Sequence, residues 1–304
     1  MFPPVACWPD GAAVTFHYGD MSVRYLVDPV DGTRTDIKDI PKAGVVRIVL
    51  WLDRTPLLEV SLDQGQRPIF HRVSGANGAA EAYLVGWQQT IDGQSVQSIG
   101  YYLPPTQYMP GRIAVAGEYE STLLDRFNKP DFRESPVPCW PDSTSYSFYY
   151  HDGSRIDRID RGTGAENTSD TITRVGLEKV TIWHHGLPVI ECHYSKGQQA
   201  IFRRRNEWKG GMATTVGAAG IPLDAMLAST SWFANQKAVQ EGKYRAFYML
   251  GWKQPIGAKC IQSVSYFYPQ NGQCPPRVVL AGKFCENDDT YLPIPIGKDL
   301  EIIT

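Results

Sequence analysis

The chain reads as an all-β protein built by tandem duplication of one domain of about 130 residues, each copy a roughly eight-stranded antiparallel unit. Three observations lead to that class. Rare residues recur at fixed spacing in the two halves of the chain. Turn formers are frequent, with 28 Gly and 22 Pro among 304 residues. Between the turns lie short runs of alternating apolar and polar residues, rich in Val, Ile, Tyr and Trp, which suit strands better than helices.

The duplication begins with Cys7-Trp8-Pro9-Asp10, which recurs as Cys139-Trp140-Pro141-Asp142. An offset of 132 then holds without a gap to Arg72 and Arg204, matching Phe16 with Phe148, Trp51 with Trp183, Pro56 with Pro188, Glu59 with Glu191 and Phe70 with Phe202. Beyond that point the offset is 165, matching Gly86-Trp87 with Gly251-Trp252, Gln97-Ser98 with Gln262-Ser263, Tyr101 with Tyr266, and Arg112 with Arg277. The second copy therefore carries an insertion of 33 residues near 206–242. The reading divides the chain into a first repeat at 1–120, a proline-rich linker at 121–138 and a second repeat at 139–304.

In the first copy strands are expected near 12–18, 22–28, 45–52, 57–62, 67–72, 82–88, 95–103 and 111–119. Turn chemistry separates them at Gly19-Asp20, Asp31-Gly32, Asp63-Gln64-Gly65, Asn77-Gly78 and Asp92-Gly93. Eight short strands fit a sandwich, a small barrel or a prism of sheets, and the pattern does not choose among them. The insertion differs in kind. A loop rich in Gly, Ala and Thr is followed by helix-forming composition from Pro222 to Glu241, closed by Gly242. It is expected to be a helical cover over a sheet edge or the other repeat. Trp8 and Trp140 are expected to plug the start of each repeat, and Trp87 and Trp252 to lie in the core.

The candidate site lies on one hairpin. Along 46–53, Arg47, Val49, Trp51 and Asp53 share a face, and on the returning strand Glu59, Ser61 and Asp63 do. A three-residue loop at Arg54-Thr55-Pro56 would set Trp51 opposite Glu59, Val49 opposite Ser61 and Arg47 opposite Asp63. The second copy would set Trp183 opposite Glu191, Thr181 opposite His193 and Lys179 opposite Ser195. Trp51, Glu59 and Arg47, with Trp183, Glu191, Lys179 and His193, are thus the candidate ligand-binding residues. An aromatic plate beside a carboxylate and a long cation suits a sugar: the ring stacks on the C–H face, and the charged groups bond the hydroxyls. The alternative is that this face is covered and both tryptophans are core.

Other chemistry finds little footing. No nucleophile elbow, phosphate loop, dinucleotide fingerprint or zinc-protease helix is present, so no catalytic residue and no cofactor is assigned. His184-His185, near Glu191 and His193, could hold a metal in one copy only, but adjacent strand residues face opposite ways and no metal is expected. A net charge of −2 gives no reason to expect nucleic acid as a partner, and Arg203-Arg204-Arg205 reads as a solvated strand edge. No segment has the length and apolarity of a membrane span and no leader peptide is visible, so a soluble cytoplasmic chain is expected, with a mature secreted form as the alternative. The six cysteines, five of them in the second half and without a C-x-x-C pair, read as reduced thiols.

One local pattern, Val175 to Ile182 followed by Gly186-x-Pro188-Val189-Ile190 and Tyr194-x-x-Gly197, is similar over 23 residues to the sheet segments of jacalin-type β-prism lectins. The sugar loop of that family, a G-x-x-x-D frame near the end of the domain, has no clear counterpart. The leading functional reading is a non-enzymatic, lectin-like protein with one glycan site per repeat, where linkage of two sites raises avidity. A second is an enzyme or small-molecule binder with one pocket at the interdomain groove, walled by the insertion. A third is a structural or toxin-like interaction protein.

Overall fold

A computed structural model of the chain describes residues 3–73, 82–105, 110–117, 135–140, 142–167, 172–208, 244–257, 259–269 and 276–285. The first copy supplies β1 (Ala12–Tyr18), β2 (Val23–Tyr25), β3 (Val45–Leu52), β4 (Thr55–Ser61), β5 (Arg67–Val73), β6 (Ala82–Ile91), β7 (Gln94–Leu103) and β8 (Arg112–Ala116). The second supplies β9 (Thr144–Tyr150), β10 (Arg155–Asp157), β11 (Leu177–His184), β12 (Leu187–His193), β13 (Gln199–Trp208), β14 (Tyr244–Ile256), β15 (Lys259–Tyr268) and β16 (Arg277–Cys285). The only helical element among the described residues is a single 3₁₀ turn at Ile37–Asp39. The helix expected over 222–241 lies outside the described residues, which give a helical insertion no support. Residues 206–208, placed in the insertion from the sequence, continue strand β13.

The strands form two eight-stranded sheets, in the orders β13-β14-β15-β16-β4-β3-β1-β2 and β10-β9-β11-β12-β8-β7-β6-β5. Each copy contributes four strands to either sheet, and within a copy all pairs are antiparallel. The two joins between copies, β4 with β16 and β8 with β12, are parallel. The sheets are therefore mixed where purely antiparallel ones were expected. A tight turn cannot supply a parallel neighbour, so it has to come from a distant segment, here the other copy. The registers of the two joins match position for position: Leu58–Ser61 beside Val278–Ala281, and Ile190–His193 beside Ile113–Ala116.

Alternate residues of the facing layers make one apolar core through both copies, with Phe16, Ile48, Leu50 and Val60 on one side and Phe70, Tyr83, Val85 and Trp87 on the other. The Cys-Trp-Pro-Asp motif bolts the layers together. Asp10 precedes β1 in one sheet and accepts a 2.6 Å hydrogen bond from the Tyr83 hydroxyl in the other. Trp8 packs 5.2 Å from the Tyr83 ring, and the Arg72 guanidinium lies 5.4 Å over Trp8. The second copy repeats this with Tyr248 2.8 and 2.9 Å from the two Asp142 oxygens, Trp140 5.3 Å from Tyr248, and Arg204 5.1 Å over Trp140. Because Tyr248 is fully buried and Asp142 nearly so, Tyr248→Phe removes a donor from a carboxylate that is largely shielded from water. The expected cost is about 1–3 kcal/mol in urea denaturation, and a change below about 0.5 kcal/mol would show that Asp142 finds another partner.

The copies meet at matching residues. The Trp87 and Trp252 rings are 6.5 Å apart and fully buried, and Ser98 Oγ lies 2.6 Å from Ser263 Oγ. Truncating a buried Trp costs about 3–5 kcal/mol, while one neutral hydrogen bond contributes about 1 kcal/mol. Packing of the indoles, more than the serine pair, therefore holds the join. Beside it, Gly86 and Gly251 occupy matching positions where the next strand comes very close. A Cβ at Gly251 would meet the Ser263 carbonyl oxygen and the Val264 Cα, and one at Gly86 would meet the Ser98 oxygen and the Ile99 Cα.

Candidate functional site

The candidate hairpin has a different register from the one its sequence predicts. Asp53 and Arg54 both have positive φ, 48° and 67°, and form a two-residue turn that pairs Leu52 with Thr55. Two central residues with φ > 0 are what the twist of a tight hairpin demands. A bulge follows between Leu50 and Trp51, next to Pro56, whose ring nitrogen has no hydrogen to donate to the ladder. Trp51 is consequently opposite Pro56, Val49 opposite Glu59, and Arg47 opposite Ser61. In the second copy, with its turn at His185 and Gly186, Trp183 is opposite Pro188, Thr181 opposite Glu191, and Lys179 opposite His193. The expected cross-strand pairs are thus two residues out of step, and three at the bulged tryptophans, although the residues keep their faces.

In the first copy the polar outer face carries a continuous chain of contacts. Trp51 Nε1 donates to Thr15 Oγ1 at 2.9 Å, and Thr15 Oγ1 is 3.1 Å from His17 Nε2. His17 Nδ1 lies 3.1 Å from Arg47, and Arg47 reaches Glu59 at 3.5 Å. A guanidinium can only donate, so Nδ1 accepts and the imidazole proton sits on Nε2, pointed at Thr15. Thr15 then accepts from both Trp51 and His17. Burial, and secondly the Arg47 charge, push the His17 pKa down to about 4, so its ring is neutral at pH 7. Thr15 is fully buried and His17 nearly so, while Trp51 remains half-buried at the end of the chain.

The second copy arranges the same face differently. Glu191 lies 3.3 Å from His193, 3.7 Å from Lys179 and 3.9 Å from Arg112, which crosses from β8 of the other copy. Its burial alone would raise the carboxyl pKa. The His193 hydrogen bond and the Lys179, His193 and Arg112 charges together outweigh burial and hold it at about 2. Ser147, which replaces Thr15, donates to Asp157 at 2.6 Å, and Arg155 binds the same carboxylate at 2.8 Å. Arg155 also stands 5.6 Å over the Trp183 ring and 5.5 Å over Tyr149, and Lys179 is 4.4 Å over Tyr149. Trp183 is only 4% exposed, and among the described residues its indole N–H has no hydrogen-bond partner.

The structure thus brings Arg47 to Glu59, and Lys179 and His193 to Glu191. It leaves Trp51 partly open and covers Trp183 with Arg155. Thr15, His17, Tyr149, Arg155, Asp157 and Arg112 belong to these two faces and were not singled out from the sequence. The alternation Ala13-Thr15-His17, polar on the outer side of β1, was the one available sign of the first two. Of the turn histidines, His185 is exposed, while His184 is buried, 3.1 Å from Thr144 Oγ1, with its pKa lowered to about 4 by burial and then by His185. Among the described residues no group of three or more His, Cys, Asp or Glu side chains converges as a metal would require, and no helix is long and apolar enough to cross a membrane. No family model matches the chain, and no curated protein and no solved structure matches it.

Proposed function

We propose that the protein is a non-enzymatic carbohydrate-binding protein whose primary site is the outer face of β1, β3 and β4 in the first copy, with the matching face of the second copy as a second, more closed site. The observation that carries this reading is Trp51: a half-buried ring, oriented by its bond to Thr15, on the same face as the Arg47–Glu59 pair. Such a plate offers a sugar a surface for its C–H face, and the ion pair offers a donor and an acceptor for hydroxyl groups. In the second copy a ligand would first have to displace Arg155 from Trp183, which makes that site weaker. The other reading, a pocket at the interdomain groove, meets hydrogen-bonded strand pairs and the Trp87–Trp252 contact where the copies join.

A glycan array followed by titration calorimetry tests the proposal. Trp51→Ala is expected to weaken binding of any selected glycan roughly tenfold, the loss of about 1.4 kcal/mol that one aromatic stack can supply, while Trp183→Ala changes it little. Absence of binding to every glycan by the folded parent would overturn the reading, and so would binding that survives Trp51→Ala unchanged.

A further inference from the structure

The register of β15 and β16 sets Cys260 directly opposite Cys285 as Cα partners of an antiparallel pair. Directly opposed residues in such a pair have Cα atoms about 4.5 or about 5.5 Å apart, depending on whether they exchange hydrogen bonds. Both spacings fall within the range of about 4.4–6.8 Å that a disulfide spans. Among the described residues the juxtaposition is particular to this pair. Cys192, by contrast, is opposite Val180 on one side and Val115 on the other. At the positions that match Cys260 and Cys285 the first copy has Ser95 and Glu120, so the duplication itself does not account for two cysteines there.

From this register we infer that Cys260 and Cys285 are a redox modification site, which closes to a cross-strand disulfide under an oxidising thiol couple such as glutathione disulfide. One cysteine thiolate attacks the glutathione disulfide, forming a mixed disulfide and releasing one glutathione. The second thiolate attacks the protein sulfur of that mixed disulfide and expels the other glutathione. Two protein thiols are oxidised, their protons pass to solvent and the released thiolates, and one glutathione disulfide is reduced to two glutathiones. Cys260 is buried, but it is the second residue of β15, next to exposed Gly257 and Lys259 at the strand end. Fraying there gives the oxidant access. The bond would close a loop of about 25 residues and pin the last residue of β16 to its neighbour, raising the stability of the β15–β16 hairpin.

The test is peptide mapping by mass spectrometry of the full chain after equilibration in glutathione buffers of increasing oxidation, with thermal melts run alongside. The expected result is a cross-linked pair of peptides carrying Cys260 and Cys285, and a melting temperature about 5 °C above that of the reduced protein. Cys260→Ser and Cys285→Ser should each abolish the difference between the variant's own melts in reducing and oxidising buffer, and Cys274→Ser should keep it. Glutathione adducts without a cross-link, or linkage of either cysteine to Cys274 instead, would overturn the inference, as would full reduction across the whole buffer series.

Discussion

Gly251→Ala is expected to destabilise the protein by about 3 kcal/mol or more, the upper end of what a forced extra methyl costs in a packed interior. Most overpacking is relieved by a side chain swinging aside. Here the obstructing atoms are the carbonyl oxygen of Ser263 and the Cα of Val264, which belong to the backbone of the adjacent strand. β15 cannot retreat to make room, because it is hydrogen-bonded on its far side to β16 and tied across the sandwich by Ser263 to Ser98. The adjoining Trp252 packs on Trp87, so a shift of β14 would open the join between the copies. Gly86→Ala should cost a similar amount for the same reason. Urea denaturation measures both, and a loss below about 1 kcal/mol in either would mean that these strands are further apart in solution than described.

The second large effect is electrostatic. Glu191→Gln is expected to cost about 3–5 kcal/mol at pH 7, the cost of breaking a buried ion pair from one side, because it leaves Lys179 and Arg112 facing a neutral amide. The parent should lose much of the same interaction in acid. The folded-state pKa of Glu191, about 2, lies below the ordinary carboxyl value of 4.5. A group depressed in this way stabilises the fold fully above its unfolded pKa and loses that contribution as pH falls toward the folded one. Stability of the parent should therefore drop between pH 4.5 and pH 2, and the Glu191→Gln variant should drop less across that window. Glu59→Gln provides the contrast. Glu59 is about as buried as Glu191, but its ionic partner Arg47 has a side chain 26% exposed, against 15% for Lys179 and 5% for Arg112, so solvent screens the pair more and a smaller loss, about 1 kcal/mol, is expected. Equal losses at the two positions would show that the faces are not as different as their geometry implies.

Strand positions were readable because alternation is local. The expected strand at 45–52 is β3 to the residue, and the one at 67–72 is β5 less its last residue. The register of the hairpin was not readable, since Asp53-Arg54 lacks the glycine that usually marks a two-residue turn with positive φ, and the bulge beside Pro56 leaves no separate mark. The parallel joins could not be seen either. Glu59 and Ser61 alternate with Leu58 and Val60 as they would on a free edge, and what lies beside them is a strand more than two hundred residues away. The sites suffered from the same blindness. Arg47 with Glu59 follows from one hairpin, but His17 arrives from β1, Arg155 from β10 and Arg112 from the other copy. Whether a tryptophan on a polar face is open or capped depends on those neighbours, and so the two copies, alike in sequence there, differ in what they present.

The matching registers of the two parallel joins carry a further consequence. β4 borders the second-copy equivalent of β8, and β8 borders the second-copy equivalent of β4, with equivalent residues touching at Ser98–Ser263 and Trp87–Trp252. This is an isologous interface: each half offers the same surface to the other about an approximate dyad. One repeat alone would have two bare edges and half a core seam, and pairing with a copy of itself would cover both. The present chain is then a homodimer made covalent, and covalency is what freed its halves to diverge. One has a neutral histidine and a partly open indole. The other holds its carboxylate among Lys179, Arg112 and His193 and sets a pair of cysteines opposite each other, arrangements that a symmetric dimer would have had to carry twice.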